Sequence, residues 1–210
     1  MTDKIIPAHG RSGFEIDQIA LNIIKQYQPL ILESPQAFDV ELFFEHDLED
    51  RSGLEASYAD LPFGIYGMTD SENKEVCVSK ALMDSPHKIA FARSTIGHEC
   101  GHVLIHVPEF TKRKAVLRSV QDKKDVDLAM YRKEDIPTYQ NPEWQAHHFS
   151  GALLMPAATV KMALKDNATV QELAEIYQVT VPFVKARLRA LDIRKQKGGR
   201  HGSVRPPFTF

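Results

Sequence analysis

Apolar residues recur at 16, 19, 20, 23, 24 and 27 of the segment 14 to 29. That three-and-four spacing predicts a helix burying one face, ended at Pro29. Pro35, Asp39 and Glu41 predict a second short helix near 36 to 46, and Arg51-Ser52-Gly53 reads as a turn. The pattern then changes. Short β-like runs around Leu54 to Leu61, Phe63 to Met68 and Glu75 to Ser79, separated by Pro62 and the polar stretch 69 to 74, predict a small antiparallel sheet.

Two later segments are apolar enough to be buried helices. Ile89 to Ile96 and Val103 to Val107 form the flanks of one, with Pro86 and Pro108 as its predicted ends; Asn141 to Pro156 form the other. Between them, Glu109 to Gln140 is long and charged, with one helix predicted around 122 to 134. It suits either a cleft cover or a solvated face. Residues 169 to 191 have helix-turn-helix spacing: Thr169 with Glu172 makes a capping box, Gln178 to Thr180 a turn, and Pro182 opens a second helix bearing Lys185, Arg187 and Arg189. The tail from Gly198 to Pro207 has the composition of a disordered segment. Three units are expected: a main domain over 1–165, a helical unit over 166–192 and a basic tail over 193–210.

The chain has 210 residues, 43% of them hydrophobic, enough for one good core plus a small appended unit. A net charge of −2 gives no whole-protein field toward nucleic acid or membrane. Membrane-length apolar stretches and a signal-peptide core are both lacking, so a cytoplasmic location is expected. The two cysteines, Cys77 and Cys100, have no metal-type spacing and read as reduced and structural.

The candidate chemistry lies at His98-Glu99-Cys100-Gly101-His102, an H-E-x-x-H pattern in the first buried helix. Residues four apart on a helix lie about 6 Å along the axis and about 40° around it, so both imidazoles can reach one metal ion. Glu99 is placed as general base toward a water that the metal acidifies. Cys100 points away from the ion. The bland alternative is a pair of core histidines bonded to backbone.

Such a site needs a third protein ligand. His106 is excluded by distance, since eight residues of helix from His98 span about 12 Å, and it reads as a helix-end residue. Glu143 is the better candidate. It follows Pro142 on a first helical turn, and Trp144, Ala146, Phe149, Ala152 and Leu153 supply a surface for packing against the H-E-x-x-H helix. Equally, Glu143 could merely favour the helix dipole. The charged segment offers Tyr131 and Tyr139 as candidate oxyanion donors. A two-His, one-carboxylate set suits Zn2+, and also Mn2+ or Fe2+.

Over most of its length the sequence resembles the ImmA/IrrE metallopeptidases. The resemblance rests on Arg93-Ser94-Thr95-Ile96-Gly97 before the H-E-x-x-H motif, on the trailing His106, and on Glu143-Trp144-Gln145-Ala146-His147-His148-Phe149-Ser150-Gly151-Ala152-Leu153-Leu154-Met155-Pro156. It implies a mainly helical, zincin-like α+β domain with the helix-turn-helix-like pair after it. His98, His102 and Glu143 would be the metal ligands and Glu99 the catalytic base. The small sheet would border the cleft and offer an edge to an extended peptide. His147 departs from the family's usual Asn, and could orient a ligand histidine or polarise the scissile carbonyl.

The function so implied is cleavage of a helix-turn-helix repressor, releasing stress or mobile-element genes. The alternative is a non-catalytic antirepressor or DNA-associated regulator that grips a partner without turnover. Lys185, Arg187, Arg189 and the tail would carry any DNA contact. Packing or partner docking is the expected role of the helix pair, and nucleic acid is not an expected partner.

Overall fold

The computed structural model describes residues 4–121 and 126–192. Its elements run β1 (Lys4–Ile5), α1 (Gly13–Tyr27), α2 (Val40–Leu42), α3 (Leu48–Ser52), β2 (Glu55–Ala59), β3 (Gly67–Asp70), β4 (Glu75–Ser79), α4 (Lys80–Met83) and α5 (Ile89–Gly101). They continue with α6 (Val107–Gln121), β5 (Tyr131–Arg132), α7 (Pro142–Leu154), α8 (Ala157–Lys165), α9 (Val170–Tyr177) and α10 (Val181–Ala190). This is the expected mainly helical α+β class. No helix among the described residues is long and apolar enough to cross a membrane.

Helix α1 starts where its chemistry says it should. Ser12 caps it in a capping box with Glu15, and Ile16, Ala20, Ile23 and Ile24 form the buried stripe. The second helical stretch lies later than expected, over 40–52, because a π-turn at Phe43–Asp47 joins α2 to α3 and Asp39 serves as the cap. Arg51 and Ser52 therefore belong to the last turn. Gly53, at φ 68°, does the turning.

The three-stranded sheet has the order β2-β4-β3 and is mixed rather than antiparallel throughout: β4 pairs antiparallel with β3 but parallel with β2. Burial explains which strand takes the centre. Val76, Cys77, Val78 and Ser79 of β4 are all buried, whereas β2 and β3 are only partly covered.

Pro108 does not end the H-E-x-x-H helix. A π-turn at His102–His106 follows α5, with the Val107 N–H donating to the His102 carbonyl, and α6 continues from there to Gln121. The wider turn relieves the proline ring of the usual clash with the carbonyl four residues back. The charged run from 109 then extends a helix already nucleated by the buried α5, and extension is cheap once the first turn exists. The helix expected near 122 to 134 is thus displaced upstream. Residues 126–130 lack regular structure, Tyr131–Arg132 pairs with β1, Lys133–Asp135 is one 3-10 turn, and 122–125 lie outside the described residues.

Helices α1, α5 and α7 enclose a core that includes Ile24, Ile96, Cys100, Val103, Phe149 and Leu153. The C-terminal pair joins it. Thr169 and Glu172 form the expected capping box, Gln178 turns the chain at φ 53°, and Leu173, Tyr177, Val184 and Leu188 are buried. Arg187 is 3% exposed; its guanidinium donates to both carboxylate oxygens of Asp17 at 3.0 Å, and its Nε to the Met155 carbonyl at 3.0 Å. The tail over 193–210 lies outside the described residues.

Candidate metal centre

The site depends on how closely α7 approaches α5. Gly97 and Gly101, four apart on α5, face Ser150 and Ala146, four apart on α7. A Cβ on Gly101 would lie 3.0 Å from the Ala146 Cα, tighter than ordinary contact, so glycine there accommodates this approach without a shift of α7. With the helices this close, Glu143, one turn before Ala146, reaches the two histidines. Asn141 caps α7 through the Glu143 and Trp144 N–H groups, and Pro142 occupies the first turn.

His98, His102 and Glu143 each offer a ligand atom within 4.8 Å of the others. The two Nε2 atoms are 3.0 Å apart, and Glu143 oxygens lie 3.3 Å from each. All three are partly buried. Hydrogen bonds from His102 and His98 hold the Glu143 carboxyl well below the usual carboxylate range, so it is anionic at neutral pH. Two imidazole nitrogens and a carboxylate oxygen converging on one point are a donor set that a divalent cation fits. These are the three residues singled out in the sequence.

Glu99, 6% exposed, points instead toward the sheet. Thr69 Oγ1 on β3 donates to Glu99 Oε2 at 2.7 Å. A Cβ on Gly67 would collide with Glu99 Oε1, so glycine at 67 lets the strand backbone close over the carboxylate. The sequence places Gly67 in a β-like run and Thr69 in the polar turn after it, with no role at the site for either; the structure puts both on β3. The Gly97/Gly101 spacing was visible in the sequence as a clue to close helix contact.

The remaining candidates are placed as follows. His147 is exposed and its ring lies 4.3 Å from that of His98, tilted by 51°. Among the described residues His98 Nδ1 is buried without a hydrogen-bond partner, so His147 packs on the ring and does not orient it by a bond to that nitrogen. Tyr131 and Tyr139 are each 52% exposed, on β5 and a 3-10 turn, and the Tyr139 ring covers Gly10. Cys77 and Cys100 are free and buried, and burial raises the Cys100 thiol pKa far above its normal value.

His106 corrects the helix-end assignment. It lies inside the π-turn, 1% exposed, with Nδ1 3.1 Å from His102 Nδ1 and Nε2 3.2 Å from Gln145 Oε1. Its distance from a shared metal point stands, because it meets the far nitrogen of a ligand histidine. Burial pushes its pKa down to about 3, assisted by the neighbouring His102, and the ring is neutral.

Fold and site together define a helical protein in which two histidines and a glutamate lie close enough to hold a metal ion, with a separate carboxylate beside them. Residues 68–189, more than half of the chain, match the peptidase family model described as the IrrE N-terminal-like domain, and the protein belongs to that family. Among solved structures, a Mycobacterium tuberculosis transcriptional regulator is similar in fold, with a TM-score of 0.57 at 17% identity, over 89% of this chain and 49% of that one. This chain therefore spans about half the length of that regulator. Comparison with curated proteins gave no match.

Proposed function

We propose that the protein is a metal-dependent endopeptidase whose substrate is a helix-turn-helix transcriptional repressor. The carrying observation is the division of labour at the site: His98, His102 and Glu143 converge on one point, while Glu99 stands beside them with its own partner, Thr69. A core histidine pair would have no use for a buried glutamate held this way. Family membership supports the peptidase reading, and the fold likeness to a transcriptional regulator supports a role in gene control.

His98, His102 and Glu143 would hold the cation, Zn2+ first, with the same donors suiting Mn2+ or Fe2+. The chemistry supplied by a cation held there is Lewis acidity, which polarises a carbonyl and acidifies water. Glu99 accepts the proton from the attacking water through its carboxylate and returns it to the leaving amine. Thr69 holds the carboxylate in one rotamer. Strand β3, at the edge of the sheet beside Glu99, gives an extended peptide a backbone to pair with. His147, Tyr131 and Tyr139 are candidates for contacting the scissile carbonyl.

The test is Glu99→Gln. Metal content by elemental analysis should match wild type while repressor cleavage falls about 10²–10⁴-fold. Loss of metal would place Glu99 among the ligands. Metal-loaded wild type that binds a repressor without cutting it would establish the non-catalytic antirepressor instead.

A further inference from the structure

Helices α7 and α10 leave a cavity of about 240 Å3 between them. Trp144 and Phe183 are its large walls, and Gly151, Ala186 and Ala190 are too small to fill the space between. Phe183, Ala186 and Ala190 fall on one stripe of α10, at spacings of three and four. Ala186 and Ala190 are exposed, so the cavity is reached from solvent.

Two polar residues also line it, yet neither offers it a free charge. The Arg187 guanidinium is taken by Asp17, and its Nε donates to the Met155 carbonyl. What Arg187 turns toward Gly151 is its Cδ, 3.3 Å from where a Cβ on that glycine would stand. His148 places Nε2 3.0 Å from Asp17 Oδ1 and its ring 5.3 Å from that of Trp144. The lining is therefore apolar in effect although it contains an arginine. A charged group entering would give up water and meet no free partner, whereas an apolar group would gain by shedding its hydration.

His147 ties this cavity to the metal centre. It lines the cavity, and its ring lies 4.3 Å from that of His98. A carbonyl held where His98, His102 and Glu143 converge thus has the cavity one imidazole away. Pairing along β3 would hold a peptide backbone without reading its sequence, and reading requires pockets for alternate side chains. We propose that the cavity between α7 and α10 is a specificity pocket that takes one large apolar side chain, aromatic or aliphatic, from a residue flanking the scissile bond. The inference rests on the endopeptidase reading above and adds to it the class of residue at which the substrate is cut. It also gives α10 a part in substrate choice through Phe183 and Ala186.

The experiment uses the full chain loaded with Zn2+ and four small hydroxamates, whose shared hydroxamate group binds the ion and whose side chains are benzyl, isobutyl, methyl and carboxymethyl. Calorimetric titration reads each affinity. Benzyl and isobutyl should bind about 10–100-fold more tightly than methyl, as burial of one large apolar side chain requires, and carboxymethyl no better than methyl. In Ala186→Phe, whose new ring would occupy the cavity, the ratio of benzyl to methyl affinity should fall toward one. Equal affinities across the wild-type series overturn the proposal without needing any variant to fold. An undiminished benzyl preference in folded Ala186→Phe overturns it too. A wild-type protein that takes up no Zn2+ overturns the metal-centre reading and the pocket with it, and elemental analysis before titration tells that result apart. The Glu99→Gln assay of repressor cleavage is independent of these affinities, so the endopeptidase reading and the pocket are judged separately.

Discussion

Gly101→Ala tests whether helix spacing sets the metal site. The new Cβ would lie 3.0 Å from the Ala146 Cα and 3.2 Å from Phe149 Cδ1, against an ordinary contact of 3.4 Å or more. The nearer obstacle is backbone, so α7 must move by about 0.4 Å and cannot turn a side chain aside. Overpacking of this kind costs about 1–3 kcal/mol, and replacing a helical glycine returns about 1 kcal/mol. Stability should therefore fall by about 0–2 kcal/mol, only a few degrees in the melting of the metal-free protein. The metal site is less forgiving. Glu143 lies three residues, about 4.5 Å along the axis, from the collision, and metal–ligand distances tolerate about 0.2 Å. Zn2+ affinity should fall about tenfold or more, measured by indicator competition alongside a thermal melt. Gly97→Ala is the comparison, because its nearest obstacle is Ser150 Oγ at 2.6 Å, which can rotate away from its bond to the Ser94 carbonyl. Unchanged affinity in a folded Gly101→Ala protein would refute the spacing argument, as would equal losses in both variants.

Three further outcomes are expected. Glu143→Ala should weaken metal binding strongly, while Glu134→Ala and Asp135→Ala, on a separate 3-10 turn, should leave a metal-indicator titration unchanged. Burial alone would raise the Asp17 pKa, but hydrogen bonds from His148 and Arg187 outweigh it, so the folded value is lowered. A lowered carboxyl pKa contributes stability that is full above the unfolded value near 4 and is lost as pH falls through the folded one. Urea unfolding should show wild type losing stability below about pH 4 more steeply than Asp17→Asn, and a parallel decline would remove Asp17 from the account. Arg187→Met should cost about 3 kcal/mol in the same assay at pH 7 by leaving that carboxylate without its guanidinium.

Much of this site is written in short-range pattern. A four-residue spacing puts His98 and His102 on one helix face, and Pro142 with an apolar stripe marks Glu143 as the head of a packed helix. Strand β4 betrays itself by Val76-Cys77-Val78. What pattern cannot carry is partnership across distance. Thr69 meets Glu99 30 positions away, Gln145 meets His106 39 away, and Arg11 meets Gln145 134 away. Each is an ordinary polar residue until the fold supplies its neighbour. Pro108 misleads for the opposite reason: its local preference is real, but one extra residue in the preceding turn removes the clash behind it.

The contact between Asp17 and Arg187 joins residues 170 apart, nearly the two ends of the described chain. His98 and Glu143 are only about 45 residues apart, and closing the longer loop costs about 1 kcal/mol more. During synthesis every group of the metal cluster has emerged before Arg187 exists. His148 on α7 meets the same Asp17 carboxylate at 3.0 Å. The Asp17–Arg187 pair ties the last described helix, α10, back to the first, α1.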